Sequence, residues 1–413
     1  MELAHVNDLC SPDKPSLVDF GVLRHYKDHL EVDHLVNNNL KMPLASLDDY
    51  GVVFDYDDTG APPGSTDYTT LVIVHGIQFN NGIFFRLKPY AASANLRLVL
   101  LNLREHGRST PYSDDEAKIL AGSDLEQQAA FMKQRVKELA AFFAWFIQKE
   151  NIPLKKEVNG KKTGGFSWIA WSGGNAYSVS FFGFPEVIPE HERQLIERYL
   201  RSYVMYDPAH PLVGAPVRSI DELYNVFFDP AIPAADKDPF GPYWVPKLIG
   251  KHSGSAQYAY DALSVDKLAD LPPLLEYLGK LQTLPDPLEL DLAPLNDIAE
   301  VAAVWRSFMP IISIDPSKFY EPAFQRALTQ GFNGEKSDSE KAYFPDVKFE
   351  YVGMMQSLPE TVYSSYWVKR MLLQYKERGT KTRDFHYRIF KDVAHGWHWD
   401  EPEKVIELFA SIA

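Results

Sequence analysis

Residues 166–174, Phe166-Ser167-Trp168-Ile169-Ala170-Trp171-Ser172-Gly173-Gly174, decide how this chain is read. A largely apolar run stops at Ser-Gly-Gly, and the residues beyond it are compatible with a helix. Continuous apolar runs bounded by glycine suit strands buried on both faces of a mostly parallel sheet. Strand, tight turn and helix in that order is the setting of a serine nucleophile. Small residues two before and two after the serine, here Ala170 and Gly174, let a strained turn push its hydroxyl outward. The five residues alone serve equally well as a serine capping a helix after a buried strand, so the flanking sequence has to discriminate.

Upstream, GVVFDYDDTG (51–60), the run Leu71 to Val74 ending in His75-Gly76, and RLVLLNL from Arg97 have the same bounded apolar character. Asp124 to Gln148 carries Leu125, Ala129, Met132, Val136, Leu139, Phe143 and Phe146 at three-to-four spacing, which predicts a packing helix. Downstream, Ser202 to Tyr206 reads as one more strand, and then the periodicity dissolves. Residues 209–340 hold 15 of the 29 prolines in 132 positions, together with 15 aromatics, and so read as an inserted segment. Alternation resumes with Val347 to Met355, a helix from Pro359 to Glu377, the strand Phe385 to Phe390 and a last helix from Pro402. The expected architecture is α/β, a doubly wound, mostly parallel sheet. Its core comprises residues 1–208, with an extension over the first 45, and 341–413, interrupted by a mainly helical cap at 209–340.

Composition narrows the function classes. The chain has 413 residues, 45% hydrophobic, 24% charged and 13% aromatic, which excludes disordered, collagen-like and coiled-coil proteins. A net charge of -14 repels phosphate backbones and anionic lipid, so a small molecule is the expected partner, and neither nucleic acid nor membrane is. Cys10, the single cysteine, cannot form an internal disulfide and has no basic neighbour to activate it. The N-terminus MELAHVNDLC lacks the pattern of a leader, no stretch approaches 18 apolar residues, and no Asn-x-Ser/Thr occurs, so a soluble, cytoplasmic protein is expected. His25, His29 and His34 with Asp28 and Asp33 can be drawn as metal ligands, but without an HExxH or cysteine pattern they read as a solvated helix face. Neither a dinucleotide fingerprint after the first strand nor a P-loop is present, and no metal or cofactor is expected.

A serine hydroxyl needs a base within hydrogen-bond reach. Two histidines lie in Ala394-His395-Gly396-Trp397-His398-Trp399-Asp400-Glu401-Pro402, between the last strand and the last helix. That is the carboxyl edge of a doubly wound sheet, where such a base belongs. His395, nearer the strand end, is preferred; His398 reads as packed among Trp397, Trp399 and Asp400.

With these stretches in order, the sequence resembles the α/β-hydrolase superfamily over residues 50–208 and 345–413. His75-Gly76-Ile77-Gln78 is similar to that family's oxyanion loop. Asn102-Leu103-Arg104-Glu105-His106-Gly107-Arg108-Ser109 is similar to its D-L-R-G-H-G-R-S signature, with Asn102 and Glu105 as departures. Ala170 to Gly174 resembles the nucleophile elbow, and His395 to Pro402 the histidine loop, whose histidine often stands seven positions before the proline. The resemblance implies Ser172 as nucleophile, His395 as base, and the backbone N–H groups of Gly173 and Ile77 as oxyanion donors. The triad acid departs from the family: after Val347 to Met355, the residues Met354, Met355, Gln356 and Ser357 include no carboxylate. Asp207, at the end of the preceding core strand, is the expected substitute, with Glu360 in reserve and a simple turn cap before Pro208 as the other reading of Asp207.

The implied activity is that of a serine hydrolase forming an acyl-enzyme. The cap aromatics Tyr224, Phe227, Phe228, Phe240, Tyr243, Trp244, Tyr258 and Tyr260 point to a hydrophobic or aromatic ester or lactone, unless they merely pack the cap. An acyltransferase with the same triad and a non-catalytic ligand binder on the same fold are the alternatives.

Overall fold

The computed structural model describes residues 43–158, 161–224, 256–280, 295, 297–332 and 342–413. Cys10, the histidine cluster at 25–34, and Phe227, Phe228, Phe240, Tyr243 and Trp244 lie outside the described residues.

Eight strands form one sheet: β1 (Leu44–Leu47), β2 (Val52–Asp58), β3 (Thr69–Val74), β4 (Leu96–Leu101), β5 (Phe166–Trp171), β6 (Leu200–Tyr206), β7 (Lys348–Met354) and β8 (Phe385–Phe390). Their spatial order is β1-β2-β4-β3-β5-β6-β7-β8. Only the β1–β2 and β2–β4 pairs are antiparallel, so β2 alone runs against the rest. Every residue of β3, β4 and β5 is buried, the signature of parallel strands covered on both faces. Alternation along each strand sends its side chains into two separate cores. Val72, Val74, Val99, Leu101, Trp168 and Ala170 face one; Leu71, Ile73, Leu98, Leu100, Ile169 and Trp171 face the other.

Helices cover both faces. On the first lie α1 (Asp114–Ala121), α2 (Leu125–Glu150), α3 (Asn175–Gly183) and α4 (Glu190–Tyr199). Helix α2 starts where the Asp124 carboxylate accepts from the backbone N–H groups of Glu126 and Gln127, and ends at Asn151 in the left-handed region. Among the described residues the segment between β6 and β7 holds α5 (Ala256–Ser264), α6 (Leu271–Lys280), a run of short helical turns over 301–320, and α7 (Glu321–Thr329), joined by turns and irregular stretches. Helix α7 packs against α3 so closely that a Cβ on Gly183 would lie 2.7 Å from the Ala323 Cβ. The last part of the inserted stretch therefore packs beside the elbow helix. Then come α8 (Pro359–Arg378), closed by Gly379 at φ 65, and α9 (Pro402–Ile412), whose Val405, Ile406, Phe409 and Ile412 fill the second core. Strand β1, which straddles the end of the stretch read as an N-terminal extension, was not legible as a strand: four residues at a sheet edge, buried only at alternate positions, give little apolar run to read. No helix among the described residues is long and apolar enough to cross a membrane.

Candidate active site

Ser172 sits between β5 and α3 at φ 52, a left-handed conformation that costs a non-glycine residue on the order of 1 kcal/mol or more. The surroundings over-determine it. A Cβ on Gly174 would lie 2.4 Å from the His75 carbonyl oxygen, and one on Gly76 would lie 2.7 Å from the Ser172 Cβ, so both glycines are required by close approach. Asn175 braces the turn: its Nδ2 donates to the carbonyls of Ala170 (2.8 Å) and Ser172 (2.9 Å). Its Oδ1 accepts from the Tyr203 hydroxyl (2.6 Å), which in turn accepts from Ser178 Oγ (2.7 Å). Neither Asn175 nor Tyr203 was singled out in the sequence; an asparagine three after the serine was the available signal.

His395 reaches the same place from the loop after β8. Its ring lies 4.7 Å from that of Trp171, the residue before Ser172, and its carbonyl accepts from Trp171 Nε1 at 3.0 Å. His395 Nδ1 is 2.6 Å from Asp207 Oδ2. A carboxylate oxygen can only accept, so Nδ1 is the donor in this bond. The Nε2 of the ring has no hydrogen-bond partner among the described residues, so the imidazole is oriented but not bonded to Ser172 Oγ here. Catalytic bonds of this kind are often long until substrate binds.

Asp207 follows β6 at φ 48, and its backbone N–H donates to the Val352 carbonyl of β7 at 2.8 Å. Its carboxylate also accepts from the Met354 N–H (3.1 Å) and from Ser357 Oγ (2.5 Å), which Thr361 Oγ1 holds from α8 (2.8 Å). The acid-free position after β7 thus supplies two donors to a carboxylate from the next strand. Glu360, the reserve candidate, lies in the first turn of α8. His398 is buried against Phe84 (4.6 Å), Trp171 (4.7 Å) and Tyr206 (5.8 Å), and burial together with the neighbouring His395 pushes its pKa far below the ordinary histidine range.

The two expected oxyanion donors are neighbours: a Cβ on Gly173 would stand 3.5 Å from the Ile77 nitrogen. His75 holds their loop, with Nε2 accepting from the Leu103 N–H (3.1 Å) and Nδ1 donating to the Gly76 carbonyl (2.9 Å). Burial, then the adjacent His106, keeps His75 neutral, as both bonds require. Asn102, one of the two departures in the signature, ties this loop down: its Oδ1 accepts from the Asn81 N–H (2.7 Å) and its Nδ2 donates to Asp55 (3.2 Å). The site is closed, with Ser172 5% exposed, His395 1% and Asp207 0%. Among the cap aromatics named from the sequence, Tyr224 is buried in the second core, Tyr258 lies tilted against Tyr277 with ring centres 5.1 Å apart, and Tyr260 lines a groove of about 350 Å³ against β8. The aromatic ring against the elbow is Phe308, which the sequence had not marked. Among the described residues no group of three or more His, Cys, Asp or Glu side chains could hold a metal ion.

No family model and no curated protein matches the chain. Solved structures do. A carboxylesterase of the ammonia-oxidizing thaumarchaeon Nitrososphaera gargenis is 11% identical, with a TM-score of 0.41 over 89% of this chain and 97% of its own. Est816, described as an N-acyl homoserine lactone degrading enzyme, is 14% identical, with a TM-score of 0.41 over 90% and 100%. An epoxide hydrolase mutant of Vigna radiata is 12% identical, with a TM-score of 0.43 over 89% and 96%. Likenesses of this degree carry no argument, and the fold is read from the sheet and its elbow. Eight strands in the order β1-β2-β4-β3-β5-β6-β7-β8, β2 alone reversed and a serine at positive φ leaving β5, form the α/β-hydrolase sheet, and this chain has the α/β-hydrolase fold.

Proposed function

We propose that the chain is a serine hydrolase that cleaves a hydrophobic or aromatic small-molecule ester or lactone through an acyl-enzyme. The observation that carries this reading is the buried His395–Asp207 pair, 2.6 Å apart, with its Nε2 unpartnered among the described residues and its ring 4.7 Å from that of Trp171, the residue before Ser172 in its strained turn. In this reading Ser172 Oγ attacks the carbonyl carbon while His395 Nε2 takes its proton. Asp207 stabilises the imidazolium, and the N–H groups of Gly173 and Ile77 receive the oxyanion. His395 then protonates the leaving alcohol, and water repeats the sequence in reverse roles to release the acid. In a lactone the leaving alcohol stays tethered to the acyl group. No step calls on a cofactor.

The alternative of a non-catalytic binder drew on the missing carboxylate after β7; a carboxylate delivered from the end of β6 speaks against it. The partner in this proposal is a small apolar molecule, met in the cytoplasm. The test is labelling by a fluorophosphonate probe, which reacts only with an activated serine. Wild-type protein is expected to label and to hydrolyse an aryl ester, and Ser172→Ala to lose both with an unchanged thermal midpoint. Labelling retained in Ser172→Ala, or absent from folded wild type, overturns the reading.

A further inference from the structure

Residues 298–308 run over the elbow and the oxyanion loop. Ala299 pairs antiparallel with Phe79, the Asn80 N–H donates to the Ile298 carbonyl (2.8 Å), and the Glu300 N–H donates to the Gln78 carbonyl (2.6 Å). Glu300 Oε1 also accepts from the Gly107 N–H (3.0 Å) and from Asn80 Nδ2 (3.2 Å). The chain then turns through Val301–Ala303 into a π-helical turn, Val304–Phe308. Such turns are costly local irregularities and concentrate at functional sites. This one directs Phe308 against the elbow: a Cβ on Gly173 would stand 2.7 Å from Phe308 Cε1. The ring is fully buried, with His106 at 5.5 Å and His75 and Tyr177 each at 6.2 Å. It therefore occupies space beside one of the two N–H groups assigned to the oxyanion.

Two residues earlier, Arg306 ties this strap to the core. Its guanidinium pairs with Glu105, donates to the Tyr112 carbonyl (2.9 Å) and reaches Asp114 (3.1 Å). Glu105 is a departure from the resembled signature, which has glycine there. The backbone kept the conformation that favours glycine, with φ 74, while the side chain became a carboxylate. Glu105 Oε1 also accepts from the Tyr112 N–H at 2.5 Å, so the acid is aimed before Arg306 meets it. Neither the elbow nor the His395–Asp207 pair uses Glu105, and among the described residues its carboxylate contacts Arg306 and the Tyr112 N–H.

We propose that residues 298–308 are a releasable strap, latched by Arg306–Glu105, and that the latch holds Phe308 beside the oxyanion donors as the residue that limits the size of the acyl group admitted to Ser172. The inference rests on the serine-hydrolase reading for its specificity and on the contacts alone for its latch. An acetyl-sized acyl group needs little displacement of the ring, whereas a long or branched one requires Phe308 to leave and the strap with it.

Three variants test this on the full chain. Glu105→Gly puts the residue best suited to φ 74 at the strained position while removing the carboxylate, and Arg306→Gln removes the other partner from a half-exposed site, so both are expected to fold. Hydrogen exchange of residues 298–308 should rise about tenfold in Glu105→Gly, the scale of losing one charge-assisted bond, and at least as much in Arg306→Gln, which also loses the contacts to the Tyr112 carbonyl and Asp114; the double variant should go no further than Arg306→Gln. Labelling of Ser172 by a bulky fluorophosphonate should accelerate by a similar factor. Phe308→Ala, with the latch intact, should shift the kcat/KM ratio of p-nitrophenyl octanoate to acetate by about tenfold or more toward octanoate. Wild-type exchange in both latch variants overturns the latch, and an unchanged octanoate-to-acetate ratio in Phe308→Ala overturns the role of Phe308. Failure of wild type to label at Ser172 overturns the hydrolase reading and the acyl-size role with it, and the exchange comparison still decides the latch.

Discussion

Asp207 holds a left-handed backbone at the end of β6 and gathers three donors, Met354 N–H, Ser357 Oγ and His395 Nδ1, onto one buried carboxylate. An amide in its place can give a proton to the imidazole where the carboxylate could only accept one, which favours the wrong tautomer and leaves the developing imidazolium without its countercharge. Asp207→Asn is therefore expected to lower turnover of an aryl ester by roughly 10⁴, with the fold retained by circular dichroism, while Glu360→Gln turns over within a few-fold of wild type. Near-normal turnover in Asp207→Asn would return Asp207 to the role of a turn cap. That this aspartate was open to selection in the sequence follows from its place at a strand end. Ser357 was not, because a serine donating to a carboxylate 150 positions away has no local signature.

At the scale of an element, the junction of β5 and α3 is held by contact rather than by propensity. Gly174 lies under the oxyanion loop, where a Cβ would sit 2.4 Å from a backbone oxygen that His75 cannot withdraw without moving Gly76 and Ile77. Gly174→Ala should cost about 1–3 kcal/mol of stability, measured by denaturant unfolding, and should lower kcat more than it raises KM. Stability equal to wild type would mean that the loop yields and that the junction is less constrained than its packing implies. Ala170, which replaces the glycine usual at the start of the elbow, meets no such obstacle. It pairs with Val74 in the sheet and is buried in the first core, so a methyl group is accommodated there.

Over the described residues, burial favours the neutral form of four histidines. Burial lowers His106 to about 4 and His210 to about 3, and pushes His75 and His398 far below the ordinary value. In the unfolded chain each takes up a proton near pH 6.5. The unfolded state therefore binds more protons below that pH, and stability present above pH 6.5 is lost as pH falls toward 4. Each such group contributes up to about 1.4 kcal/mol per pH unit in that window. The unfolding free energy is expected to fall steeply between pH 6.5 and 4.5, and His106→Asn should reduce the excess proton uptake on unfolding by about one. A stability flat across that window would contradict the burial of neutral histidines.

What the sequence determined by itself was what depends on local pattern. The central strands were legible because burial on both faces writes an unbroken apolar run, and the elbow because small residues must flank a serine in a strained turn. The histidine loop was legible because it follows the last strand, and the resemblance to a known signature ordered these pieces. The tertiary structure decided what depends on strands far apart in the chain becoming neighbours. Pairing of β6 with β7 brings Asp207 to Ser357 and Met354, and the turn after β8 delivers His395 to both Asp207 and Trp171. Phe308 and Arg306 belong to the same class. A phenylalanine and an arginine within a proline-rich insertion carry no periodicity to distinguish them, and only the path of residues 298–308 across the oxyanion loop sets one against Gly173 and the other against Glu105.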